Sequence, residues 1–175
     1  ANIGPNNGKK YSIKDKIFIK DSKLKQIKKT KLNYTQLSDN IIRVIKGTNF
    51  DYFSKEAQDI FFNQEFLVSK LADRMGIRLS GQKLENIVNT NIKSEGIIRG
   101  VIQVPADGNP IIMLSDHGTI GGYPKIGVVI SADLDRIGQL TPGSIVKFKE
   151  VSLEEAQNIF KAYTEDLNKY LNECN

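Results

Sequence analysis

Residues 41–47, IIRVIKG, form a short β-branched run closed by a glycine, which predicts a strand. GTNFDYFSKEAQDIFF follows as a turn leading into a helix. Ser54 stands at the N-cap position, Glu56 falls in the first turn, and Ala57, Ile60 and Phe61 share one face. Further β-rich stretches lie at residues 65–69, 76–79, 97–104, 111–114, 126–131 and 145–149. Gly, Pro, Asn and Asp turns separate them, including ADGNP at 106–110 and TPG at 141–143. Many short strands at close spacing predict a mainly β fold, a closed barrel or a sandwich, with a short helix over 132–140 lying against it.

The end of the chain has helical spacing. Ser152 followed by Glu155 forms a capping box, and Leu153, Ala156, Phe160, Tyr163, Leu167 and Leu171 make an apolar stripe, which predicts a C-terminal amphipathic helix. The other end is less regular. Residues 1–8 read as a Gly/Asn/Pro-rich loop, and 11–20 (YSIKDKIFIK) as a lysine-bearing edge strand whose register slips near Asp15. Residues 21–31 read as a solvated lysine run.

The length of 175 residues, with 39% hydrophobic and 26% charged positions, fits one globular domain with tails. Charge divides the chain: residues 1–50 hold 12 Lys/Arg against 3 Asp/Glu, whereas 51–175 hold 13 against 17. The basic end carries Tyr11, Phe18 and Tyr34 among its lysines, yet no arginine precedes Arg43 and no nucleic-acid motif accompanies it, so nucleic acid is not an expected partner. Cys174 is the single cysteine, which excludes an internal disulfide and fits a reducing, cytoplasmic setting. One His and one Cys exclude a zinc site built from those ligands, and no stretch has the spacing of a calcium loop, so no metal is expected. No apolar run approaches the ~20 residues needed to cross a bilayer.

Three stretches carry candidate chemistry. In DRMGIRL, Arg74 and Arg78 project to one face if the segment is extended, and two guanidinium forks suit a carboxylate, phosphate or carbamate. The alternative is an Asp73–Arg pair with one surface arginine. In Ser94-Glu95-Gly96, Glu95 can act as an acid or base, and Gln103 further on can bond an amide or ureido group, or both can be solvated polar residues around a turn. SDHGTIGGYPK, residues 115–125, concentrates three glycines with Asp116, Thr119, Tyr123 and Lys125, as a ligand loop would, or as an ordinary Gly-rich hairpin. It matches neither a P-loop nor a dinucleotide fingerprint. Ser115, Asp116 and His117 are adjacent, so alternating side-chain directions prevent a triad, and His117 reads as a hydrogen-bonding residue.

Taken together, SDNIIRVIKG, DYFSKEAQDIFF, FLVSKLADRMGIRLSG, SEGIIRGVIQVPADGNPIIMLSDHGTIGGYPKIGVVISADLDRIGQLTPGSIVKF and VSLEEA closely resemble the biotin-dependent carboxyltransferase family. This is the group of KipA and the C-type 5-oxoprolinase subunit, also called allophanate hydrolase subunit 2, related to part of urea carboxylase. Arg74, Met75, Gly76, Arg78, Ser94, Glu95, Gly96, Gln103, Pro105, Gly108, Pro110, Asp116, Thr119, Gly121, Gly122, Tyr123, Pro124 and Lys125 fall where that pattern expects such residues. The loop departs from the family's D-x-Q-T-T-G-G-Y at Gly118 and Ile120.

The resemblance implies a cyclophilin-like closed β-barrel over residues 41–156, with 157–175 as the rest of the C-terminal helix and tail. Residues 1–40 are then the lysine-rich join to a preceding N-terminal half that this sequence does not contain, which makes the chain a C-terminal part. It also implies work beside a KipI or allophanate hydrolase subunit 1-type protein and a LamB/YcsF-type subunit. That assembly would open a small lactam such as 5-oxoproline with ATP, or transfer a carboxyl group to an amide from biotin carried on another chain. The alternative is a non-catalytic module that antagonises a KipI-type kinase inhibitor. On the enzyme reading, Arg78, Asp116 and Lys125 are candidate catalytic residues. Arg74, Ser94, Glu95, Gln103, Thr119, Gly121, Gly122 and Tyr123 are candidate substrate-binding residues.

Overall fold

Alternation of buried and exposed positions organises the strands. In β1 (Ile41–Lys46), Ile42 and Val44 turn inward. In β9 (Ile145–Glu150) the inward pair is Val146 and Phe148, and in β2 (Glu65–Val68) it is Phe66 and Val68. With β3 (Gly76–Ser80), β5 (Val101–Gln103), β6 (Ile111–Met113) and β8 (Lys125–Val129), these strands close into a seven-stranded barrel in the order β1-β8-β5-β6-β3-β2-β9. Every pairing is antiparallel except the closing one, in which β1 runs parallel to β9 with Ile42 opposite Phe148. Closure leaves no unpaired edge along the barrel.

This computed structural model describes residues 11–16 and 40–173. The loop at 1–8, positions 17–20 of the expected edge strand, the lysine run, Tyr34 and Cys174 lie outside the described residues, as does the side chain of Leu171. Residues 11–16, within a separate unit spanning 1–33, do not form the expected strand. The Asp15 N–H donates to the Ser12 carbonyl at 3.0 Å and the Ser12 N–H to Asp15 Oδ2 at 2.7 Å, which closes a turn.

Helix α1 (Lys55–Asn63) starts at Ser54, whose Oγ accepts the Ala57 N–H at 3.1 Å. Its Phe61 is fully buried and stacks on Phe148 at 4.6 Å between centroids, which seats the helix on the barrel core. A 3-10 turn (Ser131–Asp133) leads into α2 (Leu134–Ile137), within the span expected to be a short helix. Asp133, fully buried, accepts from Arg43 N at 2.8 Å, Nε at 3.0 Å and a terminal guanidinium nitrogen at 2.5 Å, tying that turn to β1.

The terminal helix α3 (Leu153–Glu173) begins with the expected capping box. Ser152 N–H donates to Glu155 Oε2 at 2.7 Å, and the Glu155 N–H donates to Ser152 Oγ at 3.1 Å. Ala156, Ile159 and Tyr163 pack against Ile130, Ala132 and Val151, whereas Leu153, Phe160 and Leu167 are exposed. No helix among the described residues is long and apolar enough to cross a membrane.

One expected strand divides. Of residues 97–104, only Val101–Gln103 joins the barrel, because Gly100 adopts φ +89° in a tight turn that a side chain would strain. Upstream of it, β4 (Glu95–Gly96) pairs with β7 (Ile120–Gly121) as a separate two-stranded ribbon, with Glu95 opposite Gly121.

Candidate functional site

The ribbon and the barrel wall enclose a cleft of about 290 Å³. Strand β3 contributes Arg78, β5 contributes Gln103, and β6 contributes Ile111 and Met113. The 117–123 loop supplies His117, Ile120, Gly121, Gly122 and Tyr123. Most of this wall is apolar, with a few polar groups converging on it, as is usual for small-molecule sites. Arg78 is exposed, and no ion pair or hydrogen bond holds its guanidinium among the described residues. Its charge also reaches Asp107: burial opposes ionisation there, but hydrogen bonds from Asn109, with Lys83 and Arg78 nearby, hold the carboxyl below the ordinary carboxylate value.

Gln103 is 2% exposed, and its Nε2 donates to the Tyr123 carbonyl at 3.2 Å, which leaves Oε1 as the carboxamide's uncommitted acceptor. Glycine is required beside it. A Cβ at Gly121 would collide with Ile97 Cδ1 and stand 2.9 Å from Gln103 Nε2, and a Cβ at Gly122 would stand 2.9 Å from the Ile92 carbonyl oxygen. Gly121 lets the loop backbone lie directly on Ile97 and Gln103 of the cleft wall, and Gly122 lets it lie against the Ile92 carbonyl.

Of the residues singled out from sequence, the structure brings Arg78, Gln103, Gly121, Gly122 and Tyr123 to this cleft. Arg74, Ser94, Glu95, Thr119, Asp116 and Lys125 are not on its wall. Arg74 and Arg78 do not share an extended face. Asp73 Oδ1 accepts the N–H groups of Met75 at 2.8 Å and Gly76 at 3.1 Å, so the chain turns over 73–75 and β3 starts only at Gly76. Arg74 instead pairs with Asp116, Nε to Oδ2 at 2.9 Å, and the Asp116 N–H donates to the Arg74 carbonyl at 3.2 Å. That exposed pair braces the base of the loop that carries His117.

Lys125 is buried at the start of β8. Its Nζ donates to Glu95 Oε2 at 2.6 Å, and its N–H donates to Asn49 Oδ1 at 3.1 Å. The pair therefore fastens the β4–β7 ribbon to the barrel. The Thr119 carbonyl accepts the Ile97 N–H at 3.0 Å, which extends that ribbon, and Ser94 is exposed just before β4.

Asp73 and His117, which the sequence did not place at a site, line the cleft. The sequence signal for them is their position beside Arg74 and Asp116; their shared wall depends on the long-range Met75–Leu114 and Arg74–Asp116 backbone bonds. His117 Nδ1 lies 2.7 Å from the Gly118 carbonyl oxygen, in keeping with the hydrogen-bonding role read from sequence. Among the described residues no group of three or more His, Cys, Asp or Glu could hold a metal ion.

A closed, mainly β barrel of cyclophilin-like carboxyltransferase type, with a cleft between the barrel wall and a two-stranded ribbon, is the class defined by this fold and site. The chain belongs to the family described as carboxyltransferase domain, subdomain A and B, whose model matches residues 1–150. It is similar to the C-type 5-oxoprolinase subunit of Escherichia coli (strain K12), 38% identical over 117 residues that make up 67% of this chain and 38% of the relative. It is also similar to the C-type 5-oxoprolinase subunit of Haemophilus influenzae, 36% identical over 139 residues, 78% of this chain and 45% of the relative. The crystal structure of the Kluyveromyces lactis urea carboxylase superposes with a TM-score of 0.72 at 26% identity, covering 78% of this chain and 13% of that one. The chain thus spans less than half the length of these relatives.

Proposed function

We propose that this chain is one part of a carboxyltransferase-like assembly acting on a small amide or lactam, and that the cleft beside β3, β5 and β6 binds the reacting group. The observation that carries this reading is the pairing of Arg78 and Gln103 on one largely apolar wall. An amide or lactam offers one carbonyl acceptor and one N–H donor. Arg78 supplies donors for the carbonyl, and Gln103 Oε1 accepts from the N–H, its Nε2 being held by Tyr123. Ile97, Ile111 and Met113 cover the hydrocarbon part, and Gly121 and Gly122 line the cleft with backbone and no side chain. The names of the relatives fit this choice, since 5-oxoproline is a lactam and urea an amide.

Biotin's ureido group presents the same carbonyl and N–H pattern, so Arg78 and Gln103 also suit biotin borne by another chain; when bound, biotin supplies the carboxyl group for transfer. ATP fits poorly, because a triphosphate calls for several cations or N–H donors and Arg78 is the one lysine or arginine among the described cleft residues. ATP use is therefore assigned to a partner of KipI or allophanate hydrolase subunit 1 type, or to a LamB/YcsF-type subunit, in a cytoplasmic complex completed by the preceding half. Ser94, Thr119 and Glu95 shape the ribbon over the substrate, and Arg74–Asp116 and Lys125 position the loop and ribbon from behind.

The test is 5-oxoproline-stimulated ATP hydrolysis by the full assembly. R78A and Q103A are expected to lower kcat/KM by about tenfold to a hundredfold, as expected when charged or amide hydrogen bonds to a bound group are lost. Wild-type rates in both variants would remove the cleft from the reaction.

A further inference from the structure

Gly118 offers His117 Nδ1 a carbonyl oxygen at 2.7 Å, and a carbonyl oxygen can only accept. Nδ1 must therefore carry the hydrogen, and in the neutral ring the lone pair lies on Nε2. Nε2 has no protein partner among the described residues, and the imidazole forms part of the cleft wall that also holds Arg78 and Gln103. Of the neighbouring carboxylates, Asp116 is paired with Arg74 and Glu95 with Lys125, both off the cleft wall, and Asp73 turns Oδ1 to two backbone N–H groups. Imidazole is also the side chain most often used as a general base.

We infer that His117 Nε2 is the proton acceptor of this cleft, taking the proton of the amide or lactam N–H that Gln103 Oε1 orients in the bound substrate; this rests on the site reading above. In that step the substrate N–H bond breaks and an Nε2–H bond forms. The electron pair stays on the substrate nitrogen and delocalises onto the carbonyl oxygen, where the Arg78 guanidinium meets the growing negative charge. The product is an imidazolium and a nucleophilic amide nitrogen, with no other reactant consumed. The backbone bond at Nδ1 fixes the tautomer and the ring orientation, as second-sphere carbonyls do for other histidines that work through one nitrogen.

His117 is the single histidine of the chain, so its ring nitrogens give unambiguous 15N NMR signals. The full chain labelled on histidine is expected to show Nδ1 protonated and Nε2 unprotonated in the neutral ring, with the Nε2 signal moving when 5-oxoproline is added. In the assembly, H117N keeps an amide donor for the Gly118 carbonyl but lacks the basic nitrogen. It is expected to lower kcat by about a hundredfold or more while KM changes less than threefold and the melting temperature holds. An Nε2-protonated neutral ring, or H117N turnover within threefold of wild type, overturns the assignment. The site reading fails separately: if R78A binds 5-oxoproline as wild type does, the cleft is not the binding site, whereas weakened R78A binding beside an active H117N removes only the role of His117.

Discussion

Lys125 Nζ, inside the barrel wall at 6% side-chain exposure, donates to Oε2 of Glu95, whose side chain is 49% exposed, at 2.6 Å. The two members of this ion pair have unequal access to water. Glu95 also sits opposite Gly121, so the bond joins a barrel strand to the ribbon that roofs the cleft.

Removing either partner should therefore have unequal effects. E95A leaves an ammonium buried without a counter-charge and is expected to destabilise by about 2 kcal/mol, below the ~3–5 kcal/mol of fully buried pairs because one partner is half-exposed. K125M leaves a carboxylate that water can solvate and fills the wall with an apolar stem, so the expected loss is about 1 kcal/mol or less. Urea denaturation of both variants checks the order, and a K125M protein less stable than E95A would reverse the argument.

The Arg74–Asp116 pair behaves differently, with side-chain exposures of 87% and 44%. Such a pair contributes about 0–1 kcal/mol, so R74A should melt close to wild type. Its effect should appear instead in the loop it braces. R74A is expected to raise KM for the small amide a few-fold through a looser His117 loop, while R78A lowers kcat/KM by at least tenfold. Steady-state kinetics of the two variants side by side would separate a bracing arginine from a contacting one.

Much of the barrel is legible in the sequence because its strands alternate. Ile42 and Val44, Phe66 and Val68, and Val146 and Phe148 mark inward faces that follow from a two-residue period. The ribbon is not legible in that way. Glu95–Gly96 and Ile120–Gly121 are too short to show a period, and their pairing links positions 26 and 24 residues apart in sequence. The site divides similarly. Arg78 and Gln103 sit on barrel strands and reach the cleft, whereas Arg74 misses it because the Asp73 turn breaks the extended backbone that same-face reasoning requires. Lys125 reads as a loop cation from its glycine-rich neighbourhood, but it is the first residue of β8 and is buried by that strand.

Helix α3 shows the same limit of a periodic stripe. Leu153, Phe160 and Leu167 recur at helical spacing yet stay exposed, and the buried contacts come from Ala156, Ile159 and Tyr163. F160S is accordingly expected to change stability by less than about 0.5 kcal/mol, as for other exposed substitutions. Y163F removes the hydroxyl that donates to Asp135 Oδ2 at 2.7 Å and should destabilise by about 0.5–1 kcal/mol. Thermal melts of the two variants test which residues face the barrel; a larger loss in F160S would place the packing face along the stripe.

The start of the same helix should respond to acid. Glu155 accepts the backbone N–H of Ser152, and this bond, helped by the Ser152 side chain and the charge of Lys149, holds its carboxyl below the ordinary value of 4.5. A carboxylate whose folded value lies below its unfolded one stabilises the fold above the unfolded value, and that contribution disappears as the pH falls through the folded value. The cap should therefore be intact at about pH 6 and lost progressively below about pH 4.5. Amide hydrogen exchange at Ser152 reads this directly: protection should fall with pH in the wild type. E155Q keeps a neutral acceptor at the same position, so its protection should stay flat across that range after correction for intrinsic exchange. Equal pH dependence in the two proteins would show that the Ser152 amide does not depend on the ionised Glu155 carboxylate.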